Sequence, residues 1–217
     1  MQFDPDGAQH FPAAFDAVET KNLETLFLGL PENRPGTRLN PIPGLAETVR
    51  PATRIAGSIL GREARPVRAT LFDKSPARNW ALGWHQDRTI AVRTRIDVPG
   101  FTDWTVKHDI PHVVPPFTIL ERMLTVRIHL DPVGPDNAPL LIAPGSHRRG
   151  PLPESQIFDV VAKLGAVSCE AQSGDLWLYA TPILHASARA ATPSRRRVLQ
   201  ILYSADDLPA GLEWLGI

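Results

Sequence analysis

Two histidines and one aspartate in this chain have the types and spacing to hold a metal ion. His85-Gln86-Asp87 lies within Gly83-Trp84-His85-Gln86-Asp87-Arg88, and a third candidate, His185, lies far downstream in Thr181-Pro182-Ile183-Leu184-His185-Ala186-Ser187. Two imidazoles and one carboxylate, two close together and one remote, make the facial triad that grips non-haem Fe(II). That triad leaves the opposite coordination face open for O2 and a co-substrate. Residues two apart on an extended segment point to the same side, so His85 and Asp87 can grip one ion. The tripeptide alone is a weak signal, because chance supplies many such surface pairs. Trp80 and Trp84 beside it, and His185 at the end of a strand-like run, raise its weight.

The elements that must position these residues come from the rest of the 217-residue chain, enough for one well-buried domain. With 43% hydrophobic and 21% charged residues the composition is that of a globular protein. Lys+Arg and Asp+Glu both number 23, so no global attraction to nucleic acid or an anionic membrane follows. The single cysteine, Cys169, excludes an intrachain disulfide framework and a multi-cysteine zinc site, and it suits a reducing compartment. Met1-Gln2-Phe3-Asp4-Pro5-Asp6 has neither the basic nor the apolar region of a secretory signal, and no apolar stretch approaches membrane-spanning length. A cytoplasmic enzyme with a small-molecule substrate is the expectation.

The first third reads as helical. Phe11, Phe15, Val18 and Leu26 fall near one face, with Gly29 and Pro31 as stops, and a second helix lies within 45–60, kinked or started by Pro51 and closed by Gly61. From about residue 66 the period becomes two. Strands are expected at Val67–Phe72, followed by a turn-like Asp73-Lys74-Ser75-Pro76, and at Thr89–Arg95, Leu124–Leu130, Leu140–Ile142, Asp175–Tyr179 and Val198–Tyr203. Glu154–Leu164 reads as a short helix stopped by Gly165. Helices first and many short strands after them argue for a mainly β fold, a sandwich or jelly roll. The organisation is a single domain over 1–217, with a helical buttress at 1–62 and a jelly-roll core at 66–205.

With these residues placed, the chain resembles the phytanoyl-CoA dioxygenase family of Fe(II)- and 2-oxoglutarate-dependent oxygenases from about Arg68 to Tyr203. Trp84-His85-Gln86-Asp87 resembles the family's proximal His-X-Asp. Asp136-Asn137-Ala138-Pro139-Leu140 through Pro144-Gly145-Ser146-His147-Arg148-Arg149-Gly150 resembles its Asn-Gly-X-Leu…Pro-Gly-Ser-His-X-X-Gly signature, with Ala138-Pro139 in place of Gly-X. Gly174-Asp175 begins the strand leading to the distal histidine. His185-X-Ser187 followed by Arg196 resembles the distal ligand and the arginine that pairs with the 2-oxoglutarate carboxylate. The resemblance implies a double-stranded β-helix (cupin-like jelly roll) binding Fe(II) through His85, Asp87 and His185, with O2 and 2-oxoglutarate as co-substrates. It implies hydroxylation of an unactivated C–H bond with release of succinate and CO2. Arg88 stands where relatives often carry an aromatic, and the chain is shorter than the long members, which makes a bulky acyl-CoA substrate doubtful.

The residues themselves agree on the arginine. A dicarboxylate held in a narrow barrel needs a permanently charged, planar partner, which arginine supplies better than lysine. Arg196 fits the spacing from His185, and a slip in strand phase would make it Arg195 or Arg197. Ser187 and Thr125 are further candidates for hydrogen bonds to the co-substrate. His147 reads as part of a structural turn. Arg127 and His129 share the face of Thr125 and line the pocket or meet water. His108 and His112 lie in an irregular stretch suited to a lid, with plain loop placement as the alternative. Arg93 and Arg95, of the same parity as His85 and Asp87, would face the metal and an anionic substrate if the strand ran unbroken. Radical halogenation would need the carboxylate position vacant, and Asp87 fills it. The remaining rivals are a jelly-roll metalloprotein that does not use 2-oxoglutarate and a non-catalytic binding module that retains the triad.

Overall fold

The computed structural model describes residues 1–29 and 36–217; the expected stop at Pro31 lies outside them. In chain order, a helical turn α1 (Phe3–Asp6) precedes strand β1 (Ala8–Phe11), helix α2 (Ala17–Glu24), β2 (Gly36–Arg38), α3 (Leu45–Thr48) and α4 (Arg50–Leu60). Then come β3 (Arg65–Lys74), β4 (Leu82–His85), β5 (Ile90–Ala91), β6 (Thr102–Lys107), β7 (Ile110–Val114), α5 (Phe117–Leu120) and β8 (Leu124–His129). The last part comprises β9 (Leu140–Ile142), α6 (Glu154–Leu164), β10 (Val167–Cys169), β11 (Leu176–Ala180), β12 (His185–Ser187) and β13 (Arg196–Ser204).

These strands form a jelly roll. One sheet has the order β1-β11-β8-β13-β3-β2 and the facing sheet β10-β9-β12-β4, and the described pairings are antiparallel. The chain crosses from one sheet to the other at β3–β4, β8–β9, β10–β11, β11–β12 and β12–β13, which is how a jelly roll closes around its interior. A third sheet, β5-β7-β6, stands beside it.

The outer face of the large sheet carries the main apolar core. Ala69 and Leu71, Leu124, Val126 and Ile128, Leu176 and Leu178, and Leu199, Ile201 and Tyr203 pack there against Leu23, Leu45, Val49, Ala52 and Ala56. The helices that cover the sheet are set by local chemistry. Asp16 and Glu19 form a reciprocal capping box on α2, Pro51 stands in the first turn of α4, and Gly61 ends it.

The N-terminal third is less helical than its sequence suggests. Residues 8–11 pair with β11 as an edge strand, held by His10, which stacks on Trp177 at 4.8 Å and bonds Asp175 at 2.9 Å. Val18 is exposed and Phe15 is buried from a loop. The expected strand 89–95 shrinks to Ile90–Ala91, and the stretch with His108 and His112, expected to be irregular, is a β-hairpin, β6–β7. Among the described residues no helix is long and apolar enough to cross a membrane. Cys169 lies buried in β10, paired with Leu140.

The turn after a 3-10 segment at Pro135–Asn137 carries Ala138 at φ 51 and ψ 59. That left-handed conformation costs an alanine about 1–2 kcal/mol, and the following Pro139 restricts the residue further. Ala138→Gly is therefore expected to raise unfolding stability by about 0.5–1 kcal/mol, the relieved strain outweighing glycine's greater chain entropy. Denaturant melts of the two proteins would show it, and a less stable glycine variant would contradict the reading.

Candidate active site

Register brings the metal-ligating candidates together. β4 pairs with β12 so that His85 stands opposite His185, and the two rings lie 4.2 Å apart, tilted 54°. Asp87 follows two residues after β4 ends, in the connecting loop and not on the strand, yet it turns back to the same point. One ligand atom from each of His85, Asp87 and His185 falls within 4.8 Å of the others.

The ring orientations are fixed from behind. His85 Nδ1 bonds the Gly83 carbonyl at 2.7 Å and His185 Nδ1 bonds that of Ile183 at 2.9 Å. With Nδ1 as the donor, each Nε2 keeps its lone pair for a cation. Burial, opposed by Asp87 and reinforced by His85, pushes the His185 pKa down to about 4, so its ring is neutral at physiological pH. Burial alone would raise the Asp87 carboxyl, but His185, Arg68, His85 and Arg127 together hold it below the ordinary carboxylate range. Asp87 Oδ2 is buried without a hydrogen-bond partner. Two imidazole nitrogens with one unpartnered carboxylate oxygen fit a divalent transition metal with open positions.

The middle residue of the tripeptide does structural work that its sequence position does not reveal. Gln86 is buried, and its amide donates to the carbonyls of Gly150 (3.1 Å) and Pro182 (2.8 Å) and accepts from the Leu152 amide (2.9 Å). It thus ties the His85–Asp87 segment to the loop before α6 and to the approach to His185. Ser146 adds a second tie: its hydroxyl accepts from the Leu184 amide at 2.8 Å and donates to Ala143 O at 2.6 Å. Trp84 packs with Ala143, Leu152, Ile157 and Leu184, so α6 supports the strands that carry His85 and His185. His147 lies in this turn, packed against Gly7, and is no part of the metal cluster.

The inner face of the large sheet reads as four rows of directly opposed residues. They are Arg68, Leu202, Thr125 and Tyr179; then Thr70, Gln200, Arg127 and Trp177, with Arg38 opposite Thr70; then Phe72, Val198 and His129; and finally Lys74 with Arg196. Tyr179 identifies the face, since its ring lies 5.7 Å from that of His185.

Among the three consecutive arginines the structure separates one. Arg195 pairs with Asp73 at the surface, and Arg197 is bonded to Asp131 and Glu24. Arg196 is buried, 3% exposed, donating to Ala138 O and leaving Nε without a partner. Asn137 bonds Ser194 in both directions, at 2.7 and 3.1 Å, and so fixes the entry to this strand. Ser187 lies at the same end, donating to Ala138 O at 3.3 Å and accepting from Lys74 at 3.2 Å. Lys74 was legible only as part of a turn. It is the last residue of β3, buried, and its pKa is pushed down to about 8 by burial, then by Arg196 and Arg127.

Other expectations are placed elsewhere. Thr125 faces inward but bonds Thr181 at 3.1 Å in the row of Arg68, three rows from Arg196, so the structure does not bring it to that arginine. Arg93 and Arg95 point to solvent in pairs with Glu213 and Asp97, because β5 ends at Ala91 and the parity from His85 is lost in the loop. Arg127 and His129 are buried inside, Arg127 donating to Gln200 at 2.7 Å.

A model of the family described as phytanoyl-CoA dioxygenase matches residues 13–198. No curated protein matches the sequence. Among solved structures, the chain is similar to EctD from S. alaskensis with bound Fe, at 20% identity and a TM-score of 0.70, covering 99% of this chain and 78% of that one. It is similar to the non-heme alpha ketoglutarate dependent carbocyclase SnoK from nogalamycin biosynthesis (16%, TM-score 0.68, 99% and 85% covered). It is also similar to the epimerase SnoN in complex with Fe3+, alpha ketoglutarate and nogalamycin RO (15%, TM-score 0.65, 96% and 88% covered).

If Gln86 positions the ligands, Gln86→Leu lowers metal affinity by about 10–100-fold, the usual weight of a residue behind the ligands. His185→Ala removes high-affinity binding altogether. Titration with Co(II), read by visible absorption, distinguishes these, and wild-type affinity in the Gln86 variant would rule out the role.

Proposed function

The chain belongs to the phytanoyl-CoA dioxygenase family, and from that premise we propose that it is an Fe(II)- and 2-oxoglutarate-dependent enzyme that hydroxylates an unactivated C–H bond of a small molecule. The observation that carries the reading is the convergence of His85, Asp87 and His185, with ligand atoms within 4.8 Å and an unpartnered carboxylate oxygen among them. Iron with 2-oxoglutarate and O2 supplies the oxidising chemistry, one oxygen atom going to the substrate and one to succinate as CO2 is lost.

The chain's own residues do the rest. His85 and His185 present Nε2 because their Nδ1 atoms are committed to backbone carbonyls. Asp87 stays ionised and occupies the position that a halide would otherwise take, which favours hydroxylation over halogenation. Arg196, buried and anchored at Ala138 O, offers its remaining N–H groups to the distal carboxylate of 2-oxoglutarate. Lys74 and Ser187 stand beside it as supporting donors. Burial of this end makes each such bond stronger than it would be in water. The relatives that carry out epimerisation and carbocyclisation share the scaffold, so the outcome depends on how the substrate is presented to the metal. Leu140, Ile142, Tyr179 and Ile183 form an apolar cluster beside His185 that keeps water from it.

Anaerobic titration of the Fe(II) protein with 2-oxoglutarate should give a visible charge-transfer band, lost on Arg196→Leu but kept on Arg195→Leu. An unchanged band in the Arg196 variant would end this assignment. Turnover would then be read as succinate release, abolished by His85→Ala or Asp87→Ala. The affinity for 2-oxoglutarate should also depend on pH. Lys74 is a base with a lowered pKa, charged below about 8 and neutral above it, so binding weakens as pH rises through that region. Lys74→Met should bind more weakly at neutral pH and lose this dependence; a pH profile identical to wild type would exclude Lys74 from the clamp.

A further inference from the structure

The inner face of the large sheet carries a second group of cations that the proposed co-substrate does not use. Arg68 is buried at the start of the interior rows, its guanidinium reaching the Thr89 carbonyl at 3.4 Å, two residues beyond Asp87, with Nε unpartnered. Arg38 lies opposite Thr70 on β2, so it faces the same interior. Its backbone N–H donates to His108 Nδ1 at 3.3 Å, which pins the β6–β7 turn to β2 and brings Lys107 alongside. Arg38, Arg68 and Lys107 are close enough to repel one another, and each is drawn to Asp87. None of the three forms an ion pair among the described residues. His112, at the same place, is buried with Nε2 unpartnered, and burial together with these cations keeps it neutral.

Two features separate this group from the co-substrate clamp. Arg68 and Lys74 lie six residues apart on the inner face of β3, roughly 20 Å along the strand. A five-carbon dicarboxylate spans only about 6 Å, so it cannot serve both ends. The charges do not cancel either. The metal (+2), 2-oxoglutarate (−2) and Asp87 (−1) together carry one negative charge, which Arg196 alone offsets, so Arg38, Arg68 and Lys107 remain uncompensated. Mutually repelling cations, one buried and two half-buried, are costly to hold together without counter-charges unless a ligand supplies the anion.

We propose that Arg38, Arg68 and Lys107 form the substrate-binding end of the site and that the substrate is a small organic anion. Its carboxylate or phosphoryl group would lie against these three residues while its reacting carbon faces the metal. Guanidinium forks from Arg38 and Arg68 would hold the oxyanion in one orientation, with Lys107 as a point charge. The assignment rests on the oxygenase reading and narrows it to a substrate class.

The test uses the full chain loaded with Zn(II) in place of redox-active iron and saturated with 2-oxoglutarate. It is titrated calorimetrically with hexanoate, hexyl phosphate, hexanol and hexylamine. At least one anion is expected to bind while hexanol and hexylamine do not, and the anion that binds names the carboxylate or the phosphoryl class. Arg38→Gln with Lys107→Met should weaken that binding by about tenfold or more, and Arg38→Lys, which keeps the charge, should retain most of it. Both side chains are partly solvent-facing, so the variants should fold, as a thermal melt would verify. Binding of hexanol or hexylamine as tight as that of the anions, no binding of either anion, or unaltered affinity in the double variant would overturn the proposal. Uptake of 2-oxoglutarate is read separately beforehand. Its failure would count against the oxygenase reading, and the same probes on the metal-loaded protein would still decide whether this cluster takes an anion.

Discussion

In an antiparallel pair, directly opposed residues lie about 5 Å apart however much chain separates them, and the site is built on one such pair, His85 across from His185. Because side chains alternate, a slip of one residue between β4 and β12 would send one ring out of the barrel and destroy the site. The bonds around this pair resist such a slip. Gln86 joins three segments through one amide, Ser146 holds the residue before His185, and Trp84 locks β4 under α6. The apolar core on the far side of the large sheet provides the rigidity against which these bonds act.

The interior itself is electrostatically unusual. Arg68, Lys74, Arg127 and Arg196 are all buried on one face of one sheet, and of the four Arg68 and Arg127 act on Asp87. Burial, helped by Arg127, lowers the pKa of Arg196 to about 9, and burial, helped by Arg196 and Arg127, lowers that of Lys74 to about 8. Carbonyl and amide oxygens temper the cost, Ala138 for Arg196, Ala188 for Lys74 and Gln200 for Arg127. A protein that maximised stability alone would have filled this space with aliphatic side chains. Under the proposed function, ligands of opposite sign offset this local charge, the usual tension between a stable core and a working site.

Much of this was legible in the sequence. The jelly roll, β3, β8, β9, β11, β13 and α6 follow from residue type and period, and His85, Asp87 and His185, singled out by type and spacing, do converge. Residues that depend on remote loops were not legible. Gln86 looks like a spacer until the loops at 150 and 182 close over it, and no local pattern announces that. Lys74 read as turn because Asp73-Lys74-Ser75-Pro76 has turn composition, yet pairing with Arg196 carries β3 through it. β1 and β2 are short strands at the sheet edges with weak alternation, recruited by pairing and by the His10–Asp175 contact and not by their own propensity. The arginine run is the opposite case: sequence narrows the candidate to three residues, and the ion pairs of Arg195 and Arg197 leave Arg196 as the buried one without a carboxylate partner.

The burial of Cys169 has a bearing on durability. Its thiol is buried in the cluster with Leu140, Ile142 and Tyr179, and burial, opposed by Arg127, pushes its pKa up to about 12. Oxidants attack the thiolate, and they attack where they can reach. A catalyst that handles O2 leaks reactive oxygen when its cycle misfires, and the most vulnerable side-chain chemistry in the chain is here both protonated and out of reach. Wear from such misfires would fall first on the residues around the metal, so the protein would age from its centre outward.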